Sequence, residues 1–241
     1  MARIVRGILI FAVLSQCLLR AQVPNVDQVL QHFVTALGGE QALEKIHTMT
    51  LRGTLELPDF KTNGTTVEYF RYPDHFAAIS NIVGIGTSKL VYDGKEAWQV
   101  DPKNKLTQVS GADLADIQRR ANIHWNLKLH EFYPNIQVKG RETVNGEDAW
   151  KLEASLENST FDFFFSVKTG LLTRFDTDQH VPNGTSSVSI SDYRRVDNVL
   201  FAFGAAQTAG PVKWTRMLTE VKFNEPIDDS AFSKPASTRT N

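Results

Sequence analysis

Apolar positions after residue 25 fall three and four apart. Val26, Val29, Leu30, Phe33, Val34 and Leu37 form one stripe and predict an amphipathic helix. Asn25 or Asp27 suits its start, and Gly38-Gly39 ends it. Ala42, Leu43 and Ile46 fit a second short helical turn over Glu40 to Lys45. The period then changes to two. Met49, Leu51, Leu55 and Leu57 point one way while Thr50, Arg52, Thr54 and Glu56 point the other, which is a strand with one buried face. Pro58 ends it.

Further short alternating runs follow, separated by turn residues. Asp93-Gly94 and Asn145-Gly146 are hairpin dipeptides. Gly84 to Gly86 reads as a Gly-rich bend between two strands, and Asp228-Asp229 as a turn after the last one. Strands with turns every eight to twelve residues predict an antiparallel sheet protein. Ala112 to Phe132 interrupts the pattern. Leu114, Ile117, Ala121, Ile123, Trp125 and Leu129 among charged neighbours predict a second amphipathic helix there. The whole reads as mainly β: one domain with a long curved antiparallel sheet of about 11 strands, an N-terminal helix and a mid-chain helix.

The first residues add a compartment. Arg3 and Arg6, an apolar run from Ile8 to Leu14, then Leu18, Leu19 and Ala21 have the layout of a secretory signal. The run is shorter than the ~20 apolar residues of a membrane span. Residues 1–21 are therefore expected to be a signal peptide cleaved near Ala21, and 22–241 a single domain that is periplasmic or secreted. Leu14-Ser15-Gln16-Cys17 loosely resembles a lipoprotein cleavage box, but Gln16 is bulky where that box has a small residue. Lipid anchoring at Cys17, the sole cysteine, is not expected. The full chain carries 26 basic and 27 acidic side chains, and loss of Arg3, Arg6 and Arg20 moves the net charge from -1 to about -4. A mildly acidic surface argues against nucleic acid.

Chemistry is harder to find. His124 and His130 are six apart, the wrong spacing for a helical zinc pair, and no third ligand stands near them. No Gly-x-Ser-x-Gly elbow or phosphate loop occurs. No metal, cofactor or enzymatic role is expected. The remaining signal is aromatic. A curved sheet not wholly plugged by its own side chains would leave an apolar cavity, and Leu55, Leu57, Phe70, Phe76, Trp98, Trp125, Phe163 and Phe165 are the candidates to line it.

Several segments carry a family resemblance. They include Ala36-Leu37-Gly38-Gly39-Glu40-Gln41-Ala42-Leu43-Glu44-Lys45-Ile46, Arg52-Gly53-Thr54, Tyr92-Asp93-Gly94-Lys95-Glu96-Ala97-Trp98 and Lys168-Thr169-Gly170-Leu171-Leu172. Ser191-Asp192-Tyr193-Arg194 and Phe223-Asn224 to Phe232 belong with them. Together these resemble the outer-membrane lipoprotein-sorting-like proteins of the LolA/LolB-like superfamily, over most of the chain after residue 22. The resemblance implies an unclosed half-barrel with helices over its concave face, holding a lipid or a lipoprotein acyl chain. It implies no particular site residue. The alternative is a cell-envelope accessory or scaffold protein with a filled core that binds another protein. Either way the chain reads as a monomer.

Overall fold

The computed structural model describes residues 23–179, 181 and 184–236. The expected signal segment and Cys17 lie outside the described residues, as do 180, 182–183 and 237–241.

Helix α1 (Val26–Leu37) begins where its sequence says it should. The Asn25 side chain accepts from the Gln28 amide and the Gln28 side chain accepts from the Asn25 amide, both at 2.9 Å. This reciprocal cap satisfies two backbone donors that a helix start leaves over. The helix stops at Gly38, whose φ of 128° is open to glycine. A Cβ there would sit 2.3 Å from the Asn198 carbonyl oxygen, so the helix end is pressed against a strand turn. Helix α2 (Glu40–Glu44) follows at once.

A six-strand meander comes next: β1 (Thr48–Leu57), β2 (Thr62–Arg71), β3 (His75–Ile82), β4 (Gly86–Tyr92), β5 (Ala97–Val100) and β6 (Leu106–Val109). After α3 (Gly111–Ala121), a 3-10 turn at Trp125–Leu127 and α4 (Leu129–Phe132), seven more strands follow. These are β7 (Gln137–Val144), β8 (Glu147–Leu156), β9 (Ser159–Ser166), β10 (Leu172–Thr177), β11 (Ser186–Val196), β12 (Val199–Ala209) and β13 (Val212–Phe223). All belong to one antiparallel sheet, ordered β6-β5-β4-β3-β2-β1-β13-β12-β11-β10-β9-β8-β7 and not closed into a barrel. The two meanders are joined by β1 pairing with β13, and the free edges β6 and β7 come from mid-chain.

The sheet has 13 strands where about 11 were expected. Leu106–Val109 escaped notice because it is four residues long, with polar Thr107 and Gln108 at its centre. The mid-chain helix is also broken. Asn122 adopts an extended ψ of 111° and its side chain accepts from the His124 amide at 3.0 Å, an Asx-type turn that competes with helix continuation.

Curvature follows from two adjacent residues of α3. Arg119 lies 6.0 Å from the Phe161 ring on β9, and Arg120 lies 5.8 Å from the Phe76 ring on β3. Seven strand steps separate β3 from β9 in the sheet order. A flat sheet would hold them roughly 34 Å apart at ~4.8 Å per step, beyond the reach of two neighbouring side chains. The sheet therefore curls around its helices. Phe33 of α1 meets Phe165 of β9 at 5.0 Å and Trp125 at 6.2 Å, and one buried cluster runs from α1 through both meanders.

A second, smaller cluster lies on the outer face. Ala77 and Val91 pack on Phe232, which is 2 % exposed. Arg71 covers the Phe232 ring at 4.6 Å and pairs with Asp229. The residues after the last strand are thus pinned to the back of β2–β4.

Candidate functional site

The helix-covered face encloses a cavity of about 220 Å³ near the beginning of β1. Phe33 and Leu37 of α1 and Leu43 of α2 close it from above, and Met49, Leu51 and Phe70 form part of its floor. The Asn122–Asn126 connection, with Ile123 and Trp125, closes a side. The sequence builds this wall simply. In β1 the inward residues are Met49 and Leu51, 8 % and 3 % exposed, while Arg52 between pleats faces water.

Polar groups interrupt the apolar lining. Glu68 on β2 is in phase with Thr66 and Phe70 and points inward. Arg216 on β13 is in phase with Leu218 and points inward too. The two form an ion pair. In register, Glu68 stands opposite Leu51 and Arg216 opposite Leu55, with Gly53 midway. The pair therefore spans β1 at the one inward position without a side chain. The Arg216 Nε and Asn126 Oδ1 atoms are buried and make no hydrogen bond. The Tyr193 hydroxyl donates to the Leu172 carbonyl at 2.9 Å, and burial pushes its phenol well above the usual tyrosine range. Arg120, exposed at the margin, adds a second guanidinium.

The eight residues expected to line a hollow are distributed as follows. Phe70 and Trp125 border the cavity. Leu55 and Leu57 share the inward face of β1 but lie further along the strand, half-buried. Phe76, Phe163 and Phe165 are 1 %, 3 % and 0 % exposed and form the packing behind it. Phe76 meets Phe70 at 4.9 Å, and Phe163 meets Tyr133 at 5.1 Å. Trp98 corrects its expected position. It pairs with Val91, whose side chain belongs to the outer cluster, and Lys234 lies 3.5 Å over its ring. Even-odd alternation put Ala97, fully buried, on the helix side instead.

Glu68, Arg216 and Asn126 were not anticipated. For Glu68 and Arg216 the signal was present: a charged residue in the inward phase of an alternating strand is unusual. Asn126 had no such marker.

Elsewhere, a wider polar depression of about 540 Å³ lies among Asn158, Asp178, Gly184 and Thr185. It gathers no buried group, so the apolar cavity is the stronger candidate. Among the described residues no three His, Cys, Asp or Glu side chains stand together as metal ligands.

No family model and no curated protein matches the chain. Solved structures do. A LolA superfamily protein from Nitrosomonas europaea matches with a TM-score of 0.60 at 10 % identity, over 88 % of this chain and 99 % of the other. A DUF1329 family protein from Desulfovibrio piger matches at 0.58 and 12 %, over 86 % and 97 %. A domain described as an outer-membrane lipoprotein-sorting protein, from Vibrio parahaemolyticus, matches at 0.56 and 11 %, over 86 % and 95 %. The fold of this chain is LolA-like.

Proposed function

We propose that this protein is an exported, periplasmic carrier or binding module for an apolar ligand, a lipid or the acyl chain of a lipoprotein. In this reading residues 1–21 are a signal peptide and 22–241 the working domain. The observation that carries it is the cavity of about 220 Å³ between helices and sheet, walled by Phe33, Leu37, Leu51, Phe70 and Phe201. Burying an alkyl chain there returns about 25 cal/mol per Å² before the costs of binding. The LolA-like fold, shared with a domain described as lipoprotein-sorting, supports the same reading.

The volume sets a condition. Small-molecule sites run ~300–1,000 Å³, so an acyl chain needs the site to widen. The Trp125–Leu127 turn suits that movement. It is half-buried, has no side-chain cap and is held by short backbone bonds to Asn122, His124 and Trp125. Native mass spectrometry of protein purified from the periplasm, with and without a fluorescent fatty-acyl probe, tests the proposal. Bound lipid or probe is the expected result. Protein that stays empty against every acyl probe overturns it.

A second reading has one observation behind it. The core behind the cavity is filled by Phe76, Phe163 and Phe165, as in an envelope scaffold that binds another protein. Empty protein in the same experiment favours that role.

A further inference from the structure

Seven large apolar side chains are exposed among the described residues, and four of them gather at one end of the sheet. Phe60 is 56 % exposed, Val83 66 %, Ile85 47 % and Val212 36 %. They sit on three neighbouring hairpin tips, and scattered single residues would not do so. The tips are tied together. The Lys213 amide donates to Asp59 at 2.8 Å, joining the β12–β13 turn to the β1–β2 turn. The Thr62 hydroxyl donates to the Val83 carbonyl at 2.7 Å, and the Val83 amide to the Asn63 carbonyl at 2.9 Å, joining β1–β2 to β3–β4. A Cβ on Gly86 would lie 3.2 Å from Pro102, so the β5–β6 turn abuts the row as well. The four turns form one continuous rim.

The rim is basic, in a chain whose net charge is negative. Lys61, Lys103, Lys105 and Lys213 are exposed on it. Against them stand three acids: exposed Glu56, and Asp59 and Asp101, which are engaged by backbone amides, Asp59 by that of Lys213 and Asp101 by those of Lys103 and Lys105 at 2.9 Å. Two lysines directly follow an exposed apolar residue, as Phe60-Lys61 and Val212-Lys213. Apolar tips flanked by ammonium groups match an anionic bilayer, where the first enter the headgroup layer and the second meet phosphates. We infer that this rim docks the protein shallowly on an anionic phospholipid surface. It lies beyond the far end of β1, about 20 Å from the cavity floor at ~3.3 Å per residue from Leu51 to Leu57. The docking function is therefore separate from ligand uptake.

Co-sedimentation with vesicles tests this, using protein purified from the periplasm. One set is phosphatidylcholine alone and the other is phosphatidylcholine mixed with phosphatidylglycerol. The protein is expected to sediment with the mixed vesicles only, and less so as salt rises. Lys103→Gln with Lys105→Gln should weaken binding roughly thirtyfold. Val83→Asp with Ile85→Asp should abolish it. All four positions are exposed, and an unchanged melting temperature verifies the fold of each variant. Equal binding to both vesicle types, no binding at low salt, or variants that bind like the parent would overturn the inference. So would self-association without vesicles that the Asp pair removes, since the rim would then join two copies.

Discussion

The guanidinium of Arg216 reaches the carboxylate of Glu68 across a strand to which neither belongs, passing over Gly53. The side chains are 24 % and 14 % exposed, so each charge depends on the other for most of its solvation. Arg216→Met leaves Glu68 facing an apolar cavity. It should cost about 2–3 kcal/mol, and Glu68→Gln with Arg216→Met together should cost less than Arg216→Met alone. Urea denaturation of both single variants and the double measures the coupling. Additive losses would mean that the pair contributes nothing as a pair.

Gly53→Ala tests the same crossing from below. Its Cβ would sit 2.5 Å from the Met217 carbonyl oxygen, a backbone atom with little freedom to retreat. A loss of about 1–3 kcal/mol is expected from overpacking. A neutral result in thermal melting would show that β1 and β13 can spread at this point.

Cavity and packing residues should separate in experiment. Trp125→Asp, at a half-buried margin, should reduce acyl-probe uptake while leaving most of the sheet folded. Phe163→Asp should instead unfold the protein or destabilise it by more than ~4 kcal/mol, because it buries a carboxylate against Tyr133 and Phe175. Circular dichroism and probe titration on the two variants distinguish these outcomes.

Alkali should act through two phenols. Burial pushes Tyr133 up to about 12 against the pull of Arg119, and raises Tyr193 further. A folded state that keeps its phenol protons is favoured while the unfolded chain also keeps them, below pH ~10. The advantage is lost as pH rises from ~10 through 12 and beyond. The melting temperature should fall steeply over that window. Absorbance titration should show Tyr133 and Tyr193 ionising late, and Phe substitution at each should remove its late component.

The fold was legible wherever the chain uses strong local chemistry. The Asn25 cap, the turn at Asn145-Gly146, where both residues have positive φ, and the period-two run of β1 could be read directly. The cavity was less so, for a reason visible in Trp98. Both faces of β4 and β5 are covered, one by helices and the other by the Phe232 segment, so an aromatic residue there carries no sign of which side it faces. Phe163 and Phe165 show the converse difficulty. They do face the helices, but whether an inward ring borders a space or fills it depends on Phe33 and Tyr133, over 100 residues away in the case of Phe33.

The pairing of β1 with β13 makes the wall's central seam from its earliest and latest strands. A polypeptide that emerges N-terminus first, as in synthesis, forms the β1–β6 and β7–β12 ribbons before their seam can exist. It can be sewn into one wall only when residues 212–223 emerge. Until then Leu51 lacks its β13 neighbour Val221, and the hollow lacks Arg216. Closure of the wall thus waits for the last strand, so a truncated chain cannot complete it.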